Sequence, residues 1–200
     1  MNKLYGSLIL MLFSLVSLPL LAAETDEIEK PWLMECQNVT GNHPKRCVGW
    51  YERDSLKGHL GFFASVIKES PTTGSGAYSS YYVGPTLAPI DGLVVGIAIG
   101  REVISNELSG TRRAAFFDGT WGKIHAFALR ENGASGPWHK NTITYAVTEK
   151  FGAGVMDETF LGRGPRLEYN ITKSVQLWSA LLHDRDTGKN STVFAFSISF

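Results

Sequence analysis

The sequence ends in the stretch Ser191-Thr-Val-Phe-Ala-Phe-Ser-Ile-Ser-Phe200. Successive side chains of an extended strand point to opposite faces, so one face of this stretch is aromatic and aliphatic and the other is small or polar. The first face consists of Thr192, Phe194, Phe196, Ile198 and Phe200. Because no polar tail covers this face, the stretch predicts a β-strand whose apolar side is covered by other strands or by lipid.

The chain before this strand repeats the same alternation. From residue 58 onward, short alternating runs are separated by glycine, asparagine, aspartate and serine, which is typical of all-β proteins. The runs span residues 59–69, 77–90, 93–103, 113–130, 142–151, 166–172, 175–183 and 191–200. The fourth run, Arg113 to Arg130, is long for one strand and contains Asp118-Gly119, so it is either one strand or two. Taken as one, it gives eight strands.

The alternating stretch that ends in Phe200 resembles the C-terminal sorting signal of bacterial outer-membrane β-barrels. In that family the signal is read by the barrel-assembly machinery, so the resemblance implies this machinery as a partner of residues 192–200. It also implies a small antiparallel up-and-down β-barrel in a Gram-negative outer membrane, with an even number of strands. A buried edge strand of a soluble sandwich or barrel stays open as the alternative.

The N-terminal residues are typical of a secretory signal peptide. Lys3 precedes an apolar run from Leu4 to Leu21, and small residues separate that run from the acidic start at Glu24. We expect cleavage after Ala23 and exclude residues 1–23 from the fold. No later run approaches the roughly 20 apolar residues of a spanning helix, and a membrane protein without such helices has to be a closed barrel.

Residues 24–57 show no sustained period, and we expect them to form a short N-terminal extension ahead of a barrel at residues 58–200. The two cysteines of the chain, Cys36 and Cys47, lie in this segment. In an exported protein an even pair predicts a disulfide, which here closes the extension. Only His43 lies between them as a further ligand, too few for zinc, and no metal site or cofactor is expected.

The charge balance gives no sign of a nucleic-acid partner. The chain has 19 Lys and Arg residues against 19 Asp and Glu residues, and no basic cluster stands out. In the barrel interpretation the partners are outer-membrane lipid around the strands and an unidentified ligand outside the cell.

The connections between the runs differ in length. If the first strand starts at the periplasm, the tight turns at Asp91-Gly92 and Thr172-Lys173 face the periplasm and the longest loop, Gly152 to Gly164, faces outward. Loops on a rigid scaffold commonly carry recognition, so we expect a binding surface in this loop. Its apolar residues are Val155, Met156, Phe160 and Leu161.

Polar residues on the second strand face are expected to form a lumen network. Its members are Glu102, Arg166, Glu168, Asn170 and Gln176. The interior of an eight-stranded barrel is just wide enough for side chains to fill it, so these groups are expected to pair with each other. A filled interior favours a structural, adhesive or surface-binding role over a channel.

Two other functions stay open. One is an exported soluble barrel that binds an apolar ligand, because Pro85 and Pro89 each remove a donor from the strand ladder. The other is an outer-membrane lipid-modifying enzyme, which needs a nucleophile and an acid/base pair near the rim. The candidate catalytic residues are His125, Ser179, His183 and Asp184. None of them lies in a motif of such enzymes, so the sequence favours a protein without enzymatic activity.

Overall fold

A computed structural model of the chain describes residues 32–40, 45–56, 60–70, 76–104 and 107–200, with the backbone alone for residues 52–56 and 107–109. These residues form twelve β-strands in one closed barrel. The strands are β1 (Trp32–Val39), β2 (Arg46–Leu56), β3 (Leu60–Glu69), β4 (Tyr78–Ile90), β5 (Leu93–Ile104), β6 (Glu107–Trp121), β7 (Ile124–Gly133), β8 (Gly136–Ala146), β9 (Phe151–Glu158), β10 (Gly162–Asn170), β11 (Val175–His183) and β12 (Asn190–Ser199). The predicted signal peptide, residues 1–23, lies outside the described residues.

The barrel is antiparallel and up-and-down. Each strand pairs with its neighbours in sequence, and β1 closes the barrel by pairing with β12, as in Met34 opposite Ile198. Two backbone hydrogen bonds between Trp32 and Phe200, with N–O distances of 3.1 and 3.0 Å, extend this pairing to the strand ends. Trp32 and Phe200 therefore mark one end of the barrel, which we call the terminal end. The opposite end is the far rim.

The side chains that alternate along each strand in the sequence point alternately to the lumen and to the outer surface of the barrel. On β12, Val193 is 0% exposed and Ala195 is 8% exposed, whereas Phe194 between them is 57% exposed. The small side chains of this strand face the lumen, and the large apolar ones face away from it. The apolar face of the C-terminal stretch is therefore the outer surface of the barrel and is not part of its core.

The predicted number of eight strands is wrong, because the barrel has twelve. Residues 32–56, which we expected to be an extension, form β1 and β2 of the wall. Their alternation is hidden in the sequence because Trp50 and Tyr51 put large side chains on both faces. The fourth run is two strands, and the turn between them is at Gly122-Lys123 and not at Asp118-Gly119. Gly122 has a φ of 59°, in the left-handed region that favours glycine.

The expected external loop at Gly152–Gly164 is also wrong, since these residues form β9, a turn of three residues and the start of β10. The glycines suggested flexibility, but they are needed for close packing of the wall. A Cβ on Gly154 would collide with the backbone carbonyl oxygen of Ile143 on β8, and one on Gly164 with that of Leu181 on β11. The stretch from Glu131 to Lys140 is likewise the end of β7, a tight turn and the start of β8.

Cys36 and Cys47 form the predicted disulfide. They lie directly opposite each other on β1 and β2, with 4.1 Å between their Cα atoms. Since Glu35 and Gln37 face the lumen, the alternation places Cys36 on the outer surface. The disulfide thus joins two strands of the barrel wall and does not close a separate extension.

The prolines of β4 are accommodated within the sheet. Pro85 lies opposite Phe62 of β3, and the register between β4 and β5 shifts between Leu87 and Ile90, next to Pro89. A local irregularity is the expected way for a strand to tolerate a residue that lacks an N–H donor. Among the described residues there is no helix long and apolar enough to cross a membrane.

Candidate functional site

The barrel encloses a central cavity of about 1450 Å³. Ser199 and Ser174 line it at the terminal end, and Ser70 and Pro137 line it at the far rim. The cavity therefore extends along the whole barrel. Its volume exceeds the range of about 300–1000 Å³ that is usual for small-molecule sites, so the lumen can hold solutes together with water.

One side of the lumen is apolar and aromatic. Trp50 stacks on Phe63 and meets Phe116 edge-on, with 4.9 Å between ring centroids in each case, and Phe127 completes the group at 6.4 Å from Trp50. We call these four residues the aromatic wall. They project from β2, β3, β6 and β7 and fill that side of the interior. The open space of the lumen therefore lies on the side of β8–β12 and β1.

A buried cluster around Arg112 joins β5, β6 and β7. The Arg112 guanidinium contacts the Glu102 carboxylate at 3.0 Å and the Glu131 carboxylate at 2.9 Å. It also donates to the Tyr82 hydroxyl at 2.6 Å. The hydroxyl of Ser135, in the far-rim turn, donates to Glu102 at 2.6 Å. All three charged side chains of this cluster are buried, and one arginine pairs with two carboxylates.

A second cluster surrounds Arg46 on β2. Its guanidinium contacts Glu69 at 2.5 Å and also pairs with Glu158 of β9, across the interior of the barrel. The guanidinium lies 5.1 Å from the ring centroid of Trp138. Here too, one arginine serves two carboxylates, and the contact between β2 and β9 links opposite parts of the wall.

A third cluster surrounds Glu35 on β1. Its carboxylate accepts hydrogen bonds from Lys140 at 3.0 Å and from the Trp178 indole nitrogen at 2.8 Å. The Arg166 guanidinium stacks on the Trp178 ring at 3.9 Å from its centroid and donates to Glu168 at 2.7 Å. This cluster alternates positive and negative groups along the polar side of the lumen.

The lumen carries more carboxylates than cationic groups. Among the strand side chains that the structure describes, seven carboxylates face inward, namely Glu35, Glu69, Glu102, Asp118, Glu131, Glu158 and Glu168. Four arginine and lysine side chains face inward, namely Arg46, Arg112, Lys140 and Arg166. Glu149, Lys150 and Lys173 of the terminal-end turns also line the cavity, so carboxylates outnumber arginines and lysines by eight to six, and this charge balance favours cations over anions.

The predicted lumen residues all face inward, but in three separate groups. Glu102 belongs to the Arg112 cluster, and Arg166 and Glu168 belong to the Glu35 cluster. Asn170 and Gln176 form a pair near the terminal end, where the Gln176 amide donates to the Asn170 side chain at 3.0 Å. The central residues Glu35, Arg46, Arg112 and Glu131 were missed. They occupy strand positions that alternate with outward-facing residues and so face the lumen, but they lie in segments whose strands were misassigned.

The candidate catalytic residues are not brought together. His125 faces the lumen and contacts Asp118 at 2.8 Å, whereas Ser179 lies on the outward face of β11 opposite Phe194. His183 is at the far rim and contacts Asn190 at 2.8 Å. Without a hydroxyl nucleophile beside a histidine of this set, these residues have no arrangement for acyl transfer.

Asp184 has a structural environment in the connection between β11 and β12. Its carboxylate accepts from the Thr187 hydroxyl at 2.6 Å and from the backbone N–H of Asp186 at 3.0 Å. The hydrogen bond from Thr187, and then the one from Asp186, lower the pKa of Asp184. These contacts are those of a local turn that an aspartate stabilises through its own backbone.

The four apolar residues expected in a binding loop lie on different surfaces. Val155 faces outward and is 55% exposed, while Met156 faces inward beside Arg166, and its side chain is buried. Leu161 is buried, and Phe160, with a φ of 70°, is exposed at the far rim. They do not form one contact surface. Among the described residues, no group of three or more His, Cys, Asp or Glu side chains is placed to hold a metal ion.

The closed wall, the outward apolar residues and the cavity between the described strands define a class of protein, the twelve-stranded up-and-down β-barrel with an internal cavity. No protein-family model matches the sequence, and no curated protein matches it. Similarity is found to solved structures of membrane barrels.

Three of these structures illustrate the similarity. A chain from work on the in-meso crystallization of membrane proteins has a TM-score of 0.61 at 11% identity, covering 84% of this chain and 83% of that one. The KdgM porin has a TM-score of 0.57 at 9% identity, with coverages of 84% and 99%. Outer membrane phospholipase A from Escherichia coli has a TM-score of 0.51 at 11% identity, with coverages of 84% and 91%. The chain therefore shares the fold of outer-membrane β-barrels.

Proposed function

We propose that the protein is an outer-membrane channel through which small polar solutes pass. The observation that carries this proposal is the cavity lined by residues of both barrel ends, from Ser199 to Ser70. Two of the similar folds carry the names porin and outer membrane phospholipase, which supports the membrane setting. The lumen itself supports solute passage.

The outer surface supports insertion into a membrane. Apolar side chains are exposed on strands around the whole barrel, including Met34, Phe62, Val83, Ile99, Ile143, Val155, Leu167, Leu181 and Phe194. Water-soluble proteins rarely expose such a continuous apolar surface, whereas a membrane barrel needs it. This surface argues against the alternative of a soluble barrel with an apolar ligand, since the apolar residues are outside and the charged ones inside.

The distribution of aromatic residues supports an orientation. Near the terminal end the outward face carries Trp32, Tyr51, Phe62, Trp121, Tyr145, Phe151, Tyr169 and Phe200. Such a girdle is typical of a membrane–water interface. We place this end at the periplasm, where the assembly machinery would bind residues 192–200, and the far rim at the cell surface. The signal peptide at residues 1–23 belongs to the same proposal.

The charges of the lumen suggest which solutes pass. The excess of inward carboxylates repels anions, and the paired arginines leave no row of free cationic groups in the described strands. We therefore propose neutral and cationic solutes as the preferred cargo. The aromatic wall offers an apolar surface beside the polar clusters, which suits solutes that have both kinds of group.

A purely structural or adhesive role has less support. That expectation rested on the filled interior of an eight-stranded barrel, and the diameter of a barrel grows with its number of strands. Three far-rim connections, at residues 105–106, 134–135 and 159–161, have only two or three residues. The other three far-rim connections, between β1 and β2, β3 and β4, and β11 and β12, have six to eight residues, so longer loops for adhesion are confined to one side of this rim.

Swelling of liposomes that contain the purified protein tests the proposal. Thr142 faces the lumen and Ile143, the next residue on β8, faces lipid with 54% exposure. We expect wild-type protein and Ile143→Trp to admit small neutral sugars at similar rates, and Thr142→Trp to slow the swelling several-fold. Heat-modifiable migration on mild-detergent gels shows that each variant is folded. Folded wild-type protein that does not increase swelling over empty liposomes would exclude a channel for such solutes.

A further inference from the structure

The outward face near the far rim carries three arginines on adjacent strands. Arg101 on β5, Arg113 on β6 and Arg130 on β7 are all exposed, and we call them the arginine patch. They face outward because neighbours in sequence face the lumen, as the buried Arg112 does beside Arg113. Arginines in the wall of the barrel but outside its lumen have no place in solute passage, so they need a separate explanation.

The strand register brings the three side chains together. Thr111 lies opposite Arg101, and Arg113 is two residues further along β6. Arg113 in turn lies opposite Asn132, and Arg130 is two residues before Asn132 on β7. Diagonal neighbours of this kind are about 7–8 Å apart, a distance that long guanidinium side chains can span from both sides. Two arginines can therefore contact one anionic group at the same time.

Among the described side chains, no ion pair compensates the positive charge of the patch. Within the part of the chain whose side chains are described, Arg101 and Arg113 make no ion pair, and Arg130 donates to neutral oxygens, to Asn141 at 2.6 Å and to the Leu129 carbonyl at 3.2 Å. The one outward-facing carboxylate described on the strands is Asp157 on β9. It is close to His139 at 3.4 Å and Arg163 at 3.9 Å. The patch has no direct acidic partner there; Asn141, which accepts from Arg130, donates to Asp157 at 3.5 Å.

The level of the patch corresponds to lipid head groups. On β5 the outward residues next toward the terminal end are Ile99 and Ile97, which are 56% and 64% exposed. On the other side of the patch, β5 and β7 reach the far rim after three residues and β6 after six. The arginines thus lie at the boundary between the apolar belt and water. Guanidinium groups bind phosphate oxygens with two parallel hydrogen bonds, so phosphate is the matching ligand.

We infer that the arginine patch binds the phosphate-bearing head group of an anionic lipid in the outer leaflet. The lipid chains would pack on the apolar surface of β5–β7, below the arginines, while the phosphates bridge Arg101, Arg113 and Arg130. This inference rests on the membrane orientation proposed above and is independent of solute passage. Its test uses folded protein in detergent micelles. The result therefore does not depend on where the protein is located or whether it conducts solutes.

The experiment compares lipid A with enzymatically dephosphorylated lipid A by native mass spectrometry of the folded barrel in neutral detergent. We expect wild-type protein to bind the phosphorylated lipid at least about tenfold more tightly. The variant with Arg101→Gln, Arg113→Gln and Arg130→Gln is expected to lose this preference. Arg163→Gln is the matched control, because Arg163 is also outward and near the far rim but lies beside Asp157, and it should keep the preference.

Three results would overturn the inference. Equal binding of the two lipids by wild-type protein shows that the phosphate is not recognised. An unchanged preference in the triple variant shows that another site binds it. Displacement of the lipid by inorganic phosphate at equal concentration shows a site for free phosphate and not for a lipid. Heat-modifiable migration of the triple variant checks that the lost preference does not come from misfolding, and single Arg→Gln variants with intermediate binding support the inference if the triple variant fails to fold.

Discussion

At the scale of single residues, the interior of this barrel is organised by a few cations that each serve more than one carboxylate. Arg112 holds Glu102 and Glu131, and Arg46 holds Glu69 and Glu158. Such an arrangement is sensitive to loss of the cation, because two buried negative charges would then face each other without a counter-charge. These residues fix the strands on which they lie relative to one another and also set the sign of the lumen potential.

The parity of strand residues explains which of these side chains the sequence could reveal. Arg166, Glu168 and Asn170 alternate with Leu167 and Tyr169 in a clean run, so their common face was recognisable. Arg112 and Glu131 flank the run from residue 113 to 130, whose division into strands the pattern leaves open. Arg46 lies between Cys36 and Cys47, where the sequence has no sustained period. The ion pair between Arg46 of β2 and Glu158 of β9 forms only when the whole barrel closes, and no local sequence pattern encodes it.

Replacing Arg112 tests the role of the shared cation. We expect Arg112→Met to lower the free energy of unfolding by about 3–5 kcal/mol, because Glu102 and Glu131 stay buried without their partner. Urea unfolding in lipid vesicles, followed by tryptophan fluorescence, measures the change. Arg163→Met is the control, because Arg163 is 61% exposed and 3.9 Å from Asp157, and a surface pair of this kind contributes less than about 1 kcal/mol. Equal effects of the two substitutions would contradict the role assigned to Arg112.

At the scale of the elements, the fold depends on how alternation, glycines and turns divide the chain into strands. The all-β class, the antiparallel order and the C-terminal strand were predictable, since they follow from local period and turn chemistry. The number of strands was not. Gly154, Gly162 and Gly164 have the composition of a loop, yet they allow neighbouring backbones to approach. Trp50 and Tyr51 similarly hide the alternation of β2.

The seam between β1 and β12 is the element-level feature that separates a twelve-stranded barrel from an eight-stranded barrel with an extension. Directly opposite residues of antiparallel strands have Cα atoms about 4.5–5.5 Å apart, within reach of a disulfide. In a Cys36→Ser, Cys47→Ser background, we expect Met34→Cys with Ile198→Cys to form a cross-link on mild oxidation. A shift in migration of the fully denatured, unreduced chain detects it.

The control for the seam uses a cysteine on the same outward face of β12. Phe194 lies opposite Asn38, four residues from the partner of Met34, so Met34→Cys with Phe194→Cys should not cross-link. If neither pair cross-links in folded protein, residues 32–39 do not close the barrel. If both do so equally, β1 has no fixed register against β12.

At the scale of the whole molecule, strand number decides what the interior can do. The same inward residues would fill an eight-stranded barrel, whereas twelve strands leave a cavity of about 1450 Å³ beside the aromatic wall. Eight strands imply a filled interior, and the larger diameter of twelve strands is what leaves room for solutes. The prediction of an apolar outer surface does not depend on the number of strands, because a membrane barrel of any size needs an apolar belt.

The ion selectivity of the purified protein in planar lipid bilayers, measured as the reversal potential across a potassium chloride gradient, tests the central claim most directly. The claim is that the barrel has an open lumen lined by an excess of carboxylates. We predict discrete conductance steps with a reversal potential that indicates a preference for potassium over chloride. We also expect this preference to fall when Asp118 and Glu168 are replaced by Asn and Gln. A folded, heat-modifiable barrel that gives no conductance, or one that prefers chloride, would contradict it.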